Sequence, residues 1–194
     1  MTFSKNMFRR AVDLLRRLRS LVVGDMTYAL KKQGVNLGEN IFIGMDVIID
    51  PSFPWLITIC DDCTLTSRTI ILAHDASTKR HLGYTKVGTV FIGKRTFVGM
   101  GSVILPGVHI GENVIIGAGS VITKDIPDNS LVVGNPGRII GPTDVYITRY
   151  RGILENSLTF DESWTLEGGV NSEKRQAMYK VLEDRKPNKV AFVR

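Results

Sequence analysis

The sequence predicts an all-β protein built as a parallel β-helix, and three observations carry that prediction. Aliphatic residues recur every sixth position at Ile92, Val98, Ile104, Ile110, Ile116 and Ile122. Glycine follows four of these rungs, at Gly93, Gly99, Gly111 and Gly117. Small or aliphatic residues recur four places after each rung, at Thr96, Ser102, Val108, Val114, Ser120 and Ile126. One face of a helix needs apolar spacings of three and four, which this ladder lacks, and a fixed hexapeptide period marks a coil of stacked short strands. Three hexads make one triangular turn, so residues eighteen apart stack at about the 4.8 Å of paired strands. The glycine after each rung reads as permission for a tight bend with positive φ. An ordinary β-sandwich is the alternative, but its strands do not keep phase over six units.

The same phase appears upstream at Leu37, Ile43 and Ile49. It slips around Phe53-Pro54-Trp55, resumes at Ile59, Leu65 and Ile71, and breaks again from His74 to about Val90. The expected organisation is an amphipathic basic segment at 1–34, a coil over 35–141 interrupted by a loop at 74–90, and a C-terminal cap at 142–194.

In the first segment Met7, Ala11, Leu14, Leu18 and Leu21 follow alternating steps of four and three, the pattern of an amphipathic helix. Two roles are open for residues 5–23: packing on the coil or a sister subunit, or lying on an anionic membrane surface. After Pro142 the hexad phase is lost. Thr143 to Arg151 is rich in β-formers and reads as a strand or an irregular cap. Ser172-Glu173 opens a short capped helix that stops near Pro187.

The 194 residues carry a net charge of +6, and residues 1–34 hold all of that excess, with eight Lys/Arg against two Asp. The remainder holds seventeen charges of each sign, which argues against a basic groove for nucleic acid along the coil. No apolar run reaches the roughly 20 residues of a membrane span and no secretory signal is evident, so the expected location is cytoplasmic. Cys60 and Cys63 form one CxxC with no second pair at metal-ligand spacing, and Cys63 falls on a second inward position. A buried small residue is the expected reading, with no zinc.

Chemistry has few places to reside. His109 lies within the ladder and reads as an outward wall residue. His74 stands at the root of the long interruption, where a loop leaving a regular solenoid carries function and an imidazole can accept a proton near neutral pH. His81 lies further along that loop. A second candidate region is the run GAGSVITKDIP (117–127) with GNPGR (134–138). Its small corner residues leave backbone N–H groups approachable to an extended amide-bearing ligand, and Lys124 and Arg138 supply charge suited to phosphate. Structural turns with a solvated Lys and Arg explain the same residues equally well.

At these residues the chain resembles the hexapeptide-repeat acyltransferases, in the branch of galactoside, maltose and capsular-sugar O-acetyltransferases. The ladder, GAGSVITKDIP, GNPGR and ILAHDAS (71–77) carry the resemblance, which covers about residues 35–141. It implies the left-handed hand of the coil, a homotrimer with sites between subunits, and acetyl-CoA as donor with no metal. His74 matches the catalytic histidine, a general base in direct transfer without an acyl-enzyme. Met100 and Ala118 match positions along the pantetheine arm; Thr123, Lys124 and Arg138 match positions around the nucleotide end. Asp50, His81 and Tyr84 are candidates for touching the acceptor, whereas Asp75, as the neighbour of His74 in an extended segment, points away from it. The function implied is O-acetylation of a sugar hydroxyl, on a surface polysaccharide or lipid-linked saccharide. The alternatives are N-acetylation of an amino sugar or antibiotic, a metal-dependent hydratase on the same coil, and a non-enzymatic scaffold.

Overall fold

The computed structural model describes residues 26–185 and 190–193; the basic segment 5–23 lies outside them. Its described residues fall into two compact units that divide between residues 146 and 147.

The first unit is the coil, a left-handed parallel β-helix with three faces. The first face stacks Asn36–Leu37, Ile57–Ile59, Val90–Ile92 and His109–Ile110. The second stacks Phe42–Ile43, Thr64–Leu65, Phe97–Val98, Ile115–Ile116 and Ser130–Val133, and Arg138–Pro142 closes it as an antiparallel edge. The third stacks Ile48–Ile49, Ile70–Ile71, Val103–Ile104 and Val121–Ile122. Each two-residue strand points one side chain in and one out. Rung residues Ile92, Val98, Ile104, Ile110 and Ile116 are wholly buried, and all six second inward positions are buried with them. Their hydroxyls are satisfied at the corners: Thr96 donates to the Gly111 carbonyl at 3.1 Å and Ser102 to the Gly117 carbonyl at 3.1 Å. Below the first coil, Met26 and Leu30 of the helical stretch 26–32 pack onto the core beside Phe53 and Leu56.

The expectation for the glycines is corrected in its reason. Gly93, Gly99, Gly111 and Gly117 do not have positive φ; that conformation falls two residues later, at Arg95, Gly101, Asn113 and Gly119. The rung glycines are needed because the next coil lies directly above them. A Cβ on Gly93 would stand 2.5 Å from the Gly111 carbonyl carbon, and one on Gly99 2.5 Å from the Ala118 nitrogen.

Counting from rung to rung separates the three corners. From first to second face and from second to third, every step is six residues in every coil. From third face to first, successive steps are ten (Ile49 to Ile59), twenty-one (Ile71 to Ile92), six (Ile104 to Ile110) and four (Ile122 to Ile126). All insertions and the deletion therefore stack along one edge of the prism.

The second unit contains most of the helix Thr143–Glu155, the parallel pair Thr159–Phe160 and Phe192–Val193, and the helix Ser172–Asp184. The expected strand or irregular cap at 143–151 is a helix instead. Asn129 supplies the reason: its carbonyl accepts the Thr143 N–H at 2.9 Å and its side chain the Asp144 N–H at 3.1 Å. Capping outweighs the β preference of Val145, Ile147 and Thr148. In the later helix the cap is Asn171, whose side chain accepts the Lys174 N–H at 2.8 Å, one residue before the expected Ser172. Lys174 also lies over the Trp164 ring at 5.1 Å.

Two substitutions test the stacking. Ile104→Ala should cost about 2–5 kcal/mol through the cavity left in the core. Gly99→Ala removes no apolar surface, yet should lower the thermal midpoint clearly more than Gly83→Ala, which faces open space at φ +75° and costs about 1–2 kcal/mol. Circular dichroism melts of the three variants give the comparison.

Candidate active site

The irregular edge gathers the chemistry. Ile49 ends a third-face strand and is followed by Asp50, where a Pro51-Ser52 turn begins the first insertion. Asp50 accepts the Ser52 N–H at 2.9 Å and the Phe53 N–H at 3.3 Å through Oδ1, a local Asx turn. Its Oδ2 faces the next coil and accepts the Ala73 N–H at 2.8 Å and the His74 N–H at 3.0 Å. The same oxygen lies 2.5 Å from His74 Nδ1.

Asp50 is wholly buried, while the His74 side chain keeps 28% of its surface exposed. Burial by itself raises a carboxyl's pKa. Here the hydrogen bonds from the Ser52 N–H, the His74 ring and the Ala73 and Phe53 N–H groups outweigh it, and Asp50 titrates below the usual carboxylate range. An ionised Asp50 can only accept, so Nδ1 carries a ring hydrogen, and in the neutral imidazole it is Nε2 that presents the lone pair. Nε2 has no hydrogen-bond partner among the described residues. A histidine held in this tautomer by a buried carboxylate is equipped to take a proton from a hydroxyl or amine.

Asp50 was expected as a candidate for touching the acceptor; it lies wholly buried, with both oxygens bonded inside the protein. The signal for its actual position was local: an Asp-Pro-Ser turn directly after a rung. Asp75, as expected, does not reach the imidazole. It pairs with Lys86 at 2.6 Å, and chiefly that bond holds its carboxyl well below the usual range.

Beyond His74 the long interruption is a hairpin, with His74 opposite Val87 and Asp75 opposite Lys86. Its tip is the short helix Lys79–Leu82, ended by Gly83 in the left-handed conformation. His81 and Tyr84 sit exposed at this tip. Phe53 connects the two insertions, its ring 5.4 Å from the His74 ring and 5.7 Å from that of Trp55. No sequence pattern had singled out Phe53 or Trp55 for this place.

The remaining predicted residues occupy other positions on the prism. Thr123 and Lys124 lie exposed on the edge of His74, two coils beyond it. Met100 and Ala118 stack in adjacent coils on the edge between second and third faces, exposed, their N–H groups without hydrogen-bond partners among the described residues. Arg138 opens the antiparallel strand that closes the second face. His109 projects from the first face and stacks on Phe91 at 4.5 Å. Cys63 is buried, donates to the Gly93 carbonyl at 3.1 Å, and burial pushes its thiol up to about 11. Among the described residues no group of three His, Cys, Asp or Glu stands close enough to hold a metal ion. No helix of the described residues is long and apolar enough to cross a membrane.

Comparison with known proteins agrees with this architecture. Residues 89–124 match the model of the bacterial transferase hexapeptide (six repeats). Protein CapG of Staphylococcus aureus is 38% identical over 161 residues, 80% of this chain and 89% of that protein. A putative acetyltransferase of Bacillus subtilis (strain 168), YvoF, is 34% identical over 106 residues, 55% of this chain and 59% of that protein. Among solved structures, a hexapeptide-repeat acetyltransferase of Vibrio cholerae O1 biovar eltor complexed with acetyl coenzyme A is similar at a TM-score of 0.51 and 28% identity. That match covers 57% of this chain and 61% of the other. A galactoside acetyltransferase in complex with coenzyme A gives 0.52 and 27%, covering 65% and 74%. The chain belongs to the hexapeptide-repeat transferases. Within that family it is an acyltransferase, of the group whose relatives carry acetyl-CoA or CoA.

The Asp50 contacts make a prediction on acid stability. In the unfolded chain the carboxyl titrates near about 3.9, and in the folded protein lower. Its contribution is therefore complete above about pH 4 and drains away as pH falls through the lower folded value. Asp50→Asn cannot titrate, so the difference in thermal midpoint between parent and variant should shrink from pH 5 to pH 2 (roughly the window of that titration). A difference constant across that range would contradict the assignment.

Proposed function

We propose that the protein transfers an acetyl group from acetyl-CoA to a sugar hydroxyl, with His74 as the general base. The observation that carries the reading is the Asp50–His74 pair, at 2.5 Å, with Nε2 turned away from the carboxylate at the root of the hairpin. His74 removes the proton of the acceptor hydroxyl as its oxygen attacks the thioester carbonyl. The tetrahedral oxyanion collapses, and the CoA thiolate leaves with the proton that His74 returns. Asp50 keeps the imidazole in the correct tautomer and offsets the charge that it gains.

Acetyl-CoA would lie along the Met100 and Ala118 edge, whose free N–H groups suit the amides of pantetheine. Thr123, Lys124 and Arg138 would meet the phosphorylated nucleotide end. Met100 and Ala118 are on a different prism edge from His74, which supports a site shared between subunits. The outward side chains flanking their edge are apolar except for Thr64: Phe42, Phe97, Ile115 and Leu131 on the second face, Ile48, Ile70, Val103 and Val121 on the third. Three copies, each seating this edge beside the next one's His74 edge, make a closed ring. The capsular-sugar and galactoside resemblance favours a saccharide acceptor over an amine, and a surface polysaccharide under assembly fits that class.

Two measurements test the reading. His74→Asn should lower kcat/KM for a saccharide acceptor by about 10²–10⁴ while leaving CoA affinity unchanged, the size expected for a lost general base. Retained turnover would move the base elsewhere. Phe97→Glu should convert a trimer to monomers in sedimentation velocity and abolish transfer with them; a monomeric parent would overturn the shared site.

A further inference from the structure

The corner Phe53-Pro54-Trp55 is built more firmly than a surface turn requires. Pro54 is buried, the Leu56 N–H bonds to the Phe53 carbonyl at 3.1 Å, and the Ile57 N–H returns to the Pro54 carbonyl. Asp50 holds the start of the corner through the Ser52 and Phe53 N–H groups. On the far side, the bare α-carbon of Gly34 backs the root of Trp55: a Cβ there would stand 3.2 Å from the Trp55 Cβ. This fixed frame nonetheless presents an indole that is 60% exposed. A tryptophan so exposed adds little to the core, while its face is free to take an apolar surface.

The corner's position gives that face a use. Phe53 stands between the imidazole and the indole, in ring-to-ring steps of 5.4 and 5.7 Å, and meets the indole edge-on. The three rings form a continuous wall leading from His74 toward the first coil. Met100, Ala118 and Lys124 all lie in coils on the other side of His74. If the donor occupies that side, the acceptor must approach from the side of Trp55. One carboxylate, Asp50, anchors both the base and the wall, so their separation is set by the backbone.

We infer that Trp55 is an acceptor-binding residue, stacking on the C–H face of a sugar ring next to the one whose hydroxyl reaches His74. The acceptor is then a saccharide of two or more rings, a glycan chain instead of a lone monosaccharide. A pyranose exposes C–H groups of partial positive charge, which the negative face of an indole attracts. This inference rests on the saccharide reading given above.

The full-length chain is assayed with acetyl-CoA and with glucose, maltotetraose, cellotetraose and N,N′,N″,N‴-tetraacetylchitotetraose as probes. Trp55→Ala should raise KM about tenfold for whichever oligosaccharide is acetylated, leave KM for acetyl-CoA and kcat within about twofold, and Trp55→Tyr should recover most of the loss. In a Trp164→Phe background, where Trp55 is the remaining tryptophan, the same oligosaccharide should quench or blue-shift the emission. An unchanged acceptor KM in Trp55→Ala, a preference for glucose, or emission indifferent to the saccharide overturns the inference while leaving sugar acetylation standing. A protein that acetylates none of the four overturns the saccharide reading and this inference with it. Melts of the three variants matched to the parent within a few degrees assign the kinetic change to binding.

Discussion

Coils that stack at strand spacing bring successive corners so close that most residues after the rungs on two of the three edges are glycine, with Cys60 and Thr66 among the exceptions. At Gly93 and Gly99 an added methyl group would meet the backbone of the following coil at 2.5 Å. The two corners that carry these glycines repeat without gain or loss through the whole prism, and the aliphatic rungs stay in line because of it. Variation in chain length is confined to the third corner, where no glycine column ties successive coils together. Asp50, Leu72, Leu105 and Thr123 follow the rungs there. The Asp50–His74 pair stands on that edge, the one place where the chain can leave and return without disturbing the core.

Asp50 converts this freedom into a fixed geometry. A buried carboxylate is costly unless its oxygens are satisfied, and here four backbone N–H groups and one imidazole satisfy them. Two of the N–H groups belong to the first insertion and two to the root of the second. The carboxylate therefore ties together two segments that otherwise share no strand pairing. The same contacts that hold Asp50 ionised, and so stabilise the fold above its titration, also place one ring nitrogen. Lys86 completes the separation of roles by holding Asp75 on the outer side of the hairpin.

The coil was legible because hexad periodicity encodes burial directly: every rung named from spacing is inside, and the phase breaks mark both insertions. His74 was legible as the residue at which the phase is lost. What spacing could not give was contact across coils. Asp50 and His74 are twenty-four residues apart, and their meeting depends on the ten-residue and twenty-one-residue steps sharing one corner. The absence of glycine after Ile49, Ile71, Ile104 and Ile122 marks that corner in the sequence, once the faces are assigned by threes. The helix at Thr143 was hidden for a related reason, since its cap is Asn129, fourteen residues earlier and in the last turn of the coil.

The charge distribution bears on how a donor could be recognised. Residues 35–194 balance their charges, so the coil offers a polyanionic cofactor no broad positive field. Some of its charge is already paired along the corner between first and second faces, Lys94 with Asp61 at 3.0 Å and Arg95 with Glu112 at 2.9 Å. Lys124 and Arg138 stand apart from that paired column, near the C-terminal end of the coil. Recognition of a nucleotide there must rest on a few placed cations and on backbone N–H groups, and is correspondingly sensitive to where each one sits. That dependence on position returns to the stacking: Lys124 follows the four-residue step from Ile122 to Ile126, so the shortest turn of the prism fixes the cation at the edge where the imidazole also stands.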